Sequence, residues 1–162
     1  MFQVGDYVVY KKEVCKVIEI RKNHMNNMDY YILIPVFDNS LKIDVPTNNR
    51  CGYLRRPLSK DEVLKIIDNI PNIKEIENND RMIENTYKEL LQSGLHEDLI
   101  KIIKTTYLRN KNRLDQNKKI SETDDKYFKL AEKYLYSEFS IALNRNLEET
   151  KNFIIEKISN KK

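Results

Sequence analysis

Tryptophan is absent from this sequence of 162 residues, glycine occurs three times, proline four times, and cysteine and histidine twice each. So few glycines cannot build a phosphate-cradling loop, and no P-loop, G-x-G-x-x-G, G-x-S-x-G or H-E-x-x-H pattern occurs. The scarcity of Gly and Pro also excludes collagen-like and low-complexity stretches and long flexible linkers. Cys15 and Cys51 lie far apart with no second Cys or His at ligand spacing, which argues against a zinc site or disulfide framework and predicts two buried or half-buried thiols in a reducing cytoplasm. His24 and His96 are too few for a metal centre or an acid–base pair, and both read as surface residues, His24 in a loop and His96 at a helix start. The paired acids Asp124-Asp125 and Glu148-Glu149 fall in first helical turns, where carboxylates complement the helix dipole. No apolar run approaches the roughly 18 residues of a membrane span, and Met1–Asp6 has neither a positive nor an apolar leader region, so the expectation is a soluble, cytoplasmic protein. The expectation on these grounds is a protein that is not an enzyme, with no cofactor, no metal, no membrane association and no small-molecule substrate.

What is present divides at Pro57. The first 56 residues read as strands: Phe2, Val4 and Val8–Tyr10 about the Gly5-Asp6 turn, then Val14–Ile20, Tyr30–Ile34, and Leu41–Val45 with apolar residues on alternate positions. Lys22–Met28 has the composition of an exposed hairpin loop. Four or five short strands in so few residues predict a small, strongly bent antiparallel barrel of SH3 or Tudor type. From Pro57 the period becomes helical. Ser59-Lys60-Asp61-Glu62 is a capping box opening a helix that Pro71 ends. Further helices are expected from about Asn79 or Asp80 to the Ser93-Gly94 stop, from Glu97 to Arg109, behind Ser121, and from Asn146. The expected class is therefore α+β, a barrel over 1–56 followed by an all-α bundle of about five helices over 57–162.

The net charge of +4 is mildly basic and unevenly spread, nine Lys/Arg against six Asp/Glu in the first 56 residues. Such a balance permits a weak phosphate contact without demanding one. The densest basic stretch, between Asp98 and Lys119, carries Lys101, Lys104, Arg109, Lys111, Arg113, Lys118 and Lys119, with Tyr107 interleaved. Lys101, Lys104, Arg109 and the loop after them are candidates to follow a phosphate backbone. An ordinary solvated helix face explains the same charges, and nothing resembles a base-reading helix-turn-helix.

Several segments carry a family likeness. Met1-Phe2-Gln3-Val4-Gly5-Asp6-Tyr7-Val8-Val9-Tyr10 resembles the opening of the CarD/CdnL transcription regulators, M-F-x-[VI]-G-D-x-V-V-Y. Val45-Pro46, followed by Asn48, Gly52, Leu54 and Arg55, is similar to the close of that family's polymerase-interaction domain. Leu91-Gln92-Ser93-Gly94 matches its helical L-x-S-G step, and Leu135–Glu149 resembles its terminal helix pair. The resemblance implies a Tudor-like domain that docks on the RNA polymerase β subunit through Arg21, Lys22, Lys42, Asp44, Val45 and Pro46. It implies in addition a helical domain that touches promoter DNA without sequence preference and so stabilises the open complex; the basic residues Arg81, Lys101, Lys104, Arg109, Lys111, Arg113 and Lys126 are its candidate DNA contacts on charge. The same N-terminal module occurs in the transcription-repair coupling factor, whose helicase motor is not found in this sequence.

The chain departs from the family pattern at several points. Lys11-Lys12-Glu13-Val14 stands where the family has a Pro and a Gly-containing turn. Arg21 takes the first of two basic positions often used to grip polymerase, while Asp44 takes the second. The family's DNA-wedging Trp would fall near Asp80, among Asn78, Asn79 and Arg81, and Asp125 replaces a usual Lys beside Lys126. Tyr87 is the nearest aromatic that could substitute, but its spacing with Ile83 and Leu91 predicts burial. Two alternatives stay open: a polymerase-binding or other protein-interaction module without productive DNA contact, and an SH3-barrel RNA-binding protein of the translation apparatus.

Overall fold

The computed structural model of the chain describes residues 1–77 and 81–159. The chain separates into two compact units, Met1–Leu58 and Ser59–Lys162. The first is an antiparallel sheet of five strands, β1 (Tyr7–Tyr10), β2 (Glu13–Met25), β3 (Met28–Pro35), β4 (Ile43–Pro46) and β5 (Leu54–Arg55), in the order β4-β3-β2-β1-β5. It is the small antiparallel unit of short strands expected of the pattern. Val8, Cys15, Val17, Tyr31, Leu33, Val45 and Leu54 form its core, with Phe2, Tyr10, Ile20 and Ile43 packed against them.

The hairpin differs from the expectation. Lys22–Met28 is not an open loop: β2 runs on to Met25, and only Asn26 and Asn27 turn, with φ of 52° and 57°. Two consecutive left-handed residues make the turn whose twist suits a two-residue hairpin, and Asn is the side-chain-bearing residue that tolerates it best. Polar composition masks the strand because this end of β2 lies outside the core, with Lys22, Asn23 and Met25 all exposed. An irregularity between Val17 and Glu19 shifts the register with β3, so that Val17 and Ile20 both point inward. A second one between Arg21 and Met25 includes Asn23, at φ 49°.

Among the described residues the second unit contains five α-helices, α1 (Lys60–Asp68), α2 (Ile83–Ser93), α3 (His96–Asp115), α4 (Glu122–Leu143) and α5 (Leu147–Ser159). The Ser59–Glu62 capping box closes on both sides, Ser59 Oγ accepting from the Glu62 N–H and Glu62 accepting from the Ser59 N–H. α1 stops at Asp68, before Pro71, which lies inside a 3₁₀ turn over Ile70–Asn72. Gly94 (φ 67°) ends α2 in the left-handed conformation, and Asn144 (φ 54°) does the same for α4. The expected start of the second helix at Asn79 or Asp80, and the Trp-equivalent position near Asp80, lie outside the described residues. α3 extends six residues past Arg109, through a stretch whose polarity concealed a continuing helix. Apolar residues of α3 (Ile100, Ile102, Ile103) and α4 (Leu135, Phe139) are fully buried, as are Val63 and Ile67 of α1 and Ile154 of α5. Among the described residues no helix is long and apolar enough to cross a membrane.

Candidate functional site

In the first unit, the register of β2, β3 and β4 sets up a polar face. Arg21 lies opposite Tyr30, which lies opposite Pro46; Glu19 lies opposite Ile32, which lies opposite Asp44. Because side chains alternate along each strand, these residues share one side of the sheet, where Glu19 and Asp44 are exposed and Ile32 is buried. Arg21 Nε donates to Glu19 Oε2 at 2.8 Å, and this bond holds the Glu19 carboxyl below the usual range, assisted by the charges of Arg21, Lys42 and His24. His24 Nε2 meets Asp44 Oδ2 at 3.0 Å, and its ring stands edge-on to Tyr30 at 5.5 Å. Asp29 accepts from the Asn23 N–H at 3.0 Å and from Lys22 Nζ at 3.3 Å, and the Asn23 bond is the main reason its carboxyl also lies low.

β4 is an edge strand, paired with β3 alone. The Thr47 N–H donates to Asp29 O at 3.0 Å, continuing the β3–β4 ladder. Backbone groups of an antiparallel strand alternate in direction, so Val45 and Ile43 bond toward β3 while Asp44 and Pro46 turn theirs outward. The outer edge therefore offers the Asp44 N–H and two carbonyls, with Pro46 supplying no donor.

Of the six residues expected at this site, Arg21, Asp44 and Pro46 are brought together. Lys22 and Lys42 are exposed nearby, Lys22 on Asp29. Val45 is different: its side chain is in the core, so it shapes the strand rather than offering a contact. Glu19, His24 and Tyr30 belong to the face and were not anticipated. The matching parity of Glu19 and Arg21 was a readable signal, whereas His24 is placed by a backbone irregularity that composition does not reveal.

The basic residues expected to meet DNA in the second unit do not all face solvent. Lys104 is corrected outright: it is 2% exposed, and its Nζ donates to Ile70 O at 3.0 Å and Ile73 O at 2.8 Å, closing carbonyls at the turn after α1. It is not available to a phosphate. Arg109 is turned inward as well, its Nε on Asp124 Oδ2 at 2.9 Å. Asp124 lies in the first turn of α4, as expected, and is buried; it also accepts from the Tyr87 hydroxyl at 2.9 Å, and the Ser121 Oγ accepts from its N–H. Tyr87 is fully buried, as its spacing predicts, and cannot reach DNA. Arg113 Nε donates to Lys119 O at 2.7 Å, tying α3 to the connector. Lys111, Lys126 and Arg81 are exposed and Lys101 is half-buried. His96 is not a plain surface residue: its Nε2 meets the buried Glu138 Oε1 at 2.8 Å and its ring stacks on Phe139.

A comparison with curated proteins finds no match. A comparison with family models does: residues 2–57 match the CarD-like/TRCF RID domain. That span covers all five strands and the charged face around β4. It is a protein-interaction domain, not a catalytic one, of transcription-related proteins that engage RNA polymerase. Over residues 2–57 the chain is thus similar to the CarD-like/TRCF RID domain.

Proposed function

We propose that the chain docks on the β subunit of bacterial RNA polymerase through β4, and that its helical unit contacts promoter DNA without reading sequence, modulating the stability of the open complex. The carrying observation is the unpaired outer edge of β4 inside the matched domain. An edge strand of this kind takes a partner strand through main-chain bonds, while flanking side chains select the partner. Arg21, Lys22 and Lys42 supply positive charge beside the edge, and Asp44 with His24 supplies a pairing that differs from the basic one common in the family. DNA contact falls to Arg81, Lys101, Lys111, Arg113 and Lys126, since Lys104 and Arg109 are committed inside the fold.

The loss of those two cations, together with the missing Trp, supports a second reading, in which the protein binds polymerase and contributes little at the DNA. Cross-linking of the full chain to purified core polymerase tests the shared part. Cross-links from Lys22 and Lys42 to the β subunit are expected, and their absence while other lysines react would remove β4 as the docking edge.

A further inference from the structure

An apolar groove lies between the second half of α3 and the start of α4, with a volume of about 250 Å³. Tyr107 and Phe128 form its aromatic wall, their ring centroids 6.4 Å apart and inclined at 31°. Leu114 and Ile120 line it from the end of α3 and the connector, and they are 58% and 41% exposed. Lys111 and Asp125 stand on its rim. The connector entering the groove carries Lys118 and Lys119, both exposed, and Lys126 follows on α4.

Large apolar side chains held open to water within a run of lysines are an unusual combination. Phosphate contact alone requires cations and no aromatic wall; an apolar protein segment requires the wall and no surrounding lysines. A single strand of nucleic acid uses both, stacking bases on ring faces while cations follow its backbone. The groove also has little with which to tell one base from another. Asn110 is spent on shape, its Oδ1 accepting from the Ser121 N–H at 2.8 Å and its amide directed to Ser121 O at 3.5 Å, which pins the connector against α3. The Asp125 carboxylate is matched by Lys129 at 2.9 Å.

We propose that this groove receives an unpaired base of single-stranded nucleic acid, laid on Tyr107 and Phe128, with the strand's phosphates beside Lys111, Lys118 and Lys119. This rests on the reading of the helical unit as the DNA-contacting part and names the form of nucleic acid it takes. Preference for base identity is slight, since stacking serves every base.

The test uses the full chain and fluorescently labelled oligonucleotides of about a dozen nucleotides, oligothymidylate, oligouridylate and a duplex of equal length. Both single strands are expected to bind several-fold tighter than the duplex. Tyr107→Ala and Phe128→Ala are expected to lower single-strand affinity about tenfold, with Tyr107→Phe close to wild type, because a ring face is what stacking needs. Leu114→Glu, at an exposed position where folding is not at risk, should lose single-strand binding too. The stronger of the DNA and RNA strands identifies the source. Equal affinity for strand and duplex, indifferent to Tyr107 and Leu114, overturns the groove and leaves a plain phosphate contact standing. Failure to bind any oligonucleotide overturns both.

Discussion

The two thiols occupy opposite environments. Cys15 is buried in the barrel core, and burial, with the charge of Glu13 adding, pushes its thiol up to about 12. Cys51 departs from the expectation of a buried or half-buried thiol: it is exposed in the loop before β5. Thiolate is the reactive form, so alkylation of the native protein at neutral pH should modify Cys51 alone, with Cys15 reacting only on denaturation. Mass spectrometry of the alkylated chain reads this directly, and fast reaction at Cys15 would mean the barrel opens. Lys104 and Lys111 separate structural from surface charge in the same way. Lys104→Met strips two carbonyls of a charged donor and should cost about 2 kcal/mol in denaturant unfolding, with DNA affinity unchanged. Lys111→Ala should do the reverse. Glu132 supplies a pH-dependent case: burial raises its carboxyl above the ordinary range despite Lys151 at 3.9 Å. Folding then disfavours its ionised form, so stability declines as pH climbs from the unfolded carboxyl range through the folded one. Glu132→Gln should raise the melting temperature at neutral pH, and the gain should vanish in acid. None of these contrasts was legible from the sequence. A lysine at helical spacing reads identically whether it faces water or two carbonyls.

At the scale of elements, periodicity located the strands and helices, and local chemistry set several of their ends. The Ser59–Glu62 box, Gly94 and the Asn146 start all act as their residue types dictate. Extents were lost where polarity imitated a loop: β2 through Met25, held by the Asn26-Asn27 turn, and α3 beyond Arg109. Part of the charged face depends on one such extent, since Lys22 and His24 lie in the continuation of β2 past Arg21. It leads to a sharp prediction at β4. Asp44→Pro removes the outward N–H while leaving the Val45 and Ile43 bonds to β3, so a partner strand loses a donor and the fold does not. Asp44→Ala removes the carboxylate and its His24 contact but keeps the N–H. If main-chain pairing carries the affinity, the proline variant should bind polymerase at least tenfold more weakly than the alanine variant, at similar melting temperatures. Equal binding by the two would assign the contact to side chains.

For the whole molecule, the division of labour between the units predicts two separable affinities. On the proposal that about three exposed cations meet phosphates, duplex DNA binding should be weak and its log–log salt slope about −3. A slope near zero would rule out phosphate contact. Polymerase binding, centred on main-chain pairing with flanking charge, should respond to salt more gently, while Arg21→Glu should weaken it by about 1–3 kcal/mol. The most direct test of the account is sedimentation velocity of the full chain mixed with purified bacterial core RNA polymerase. The account predicts a one-to-one complex at micromolar concentrations that forms without DNA and is lost in the Asp44→Pro variant. No complex, or one that survives both Asp44→Pro and Arg21→Glu unchanged, would contradict it.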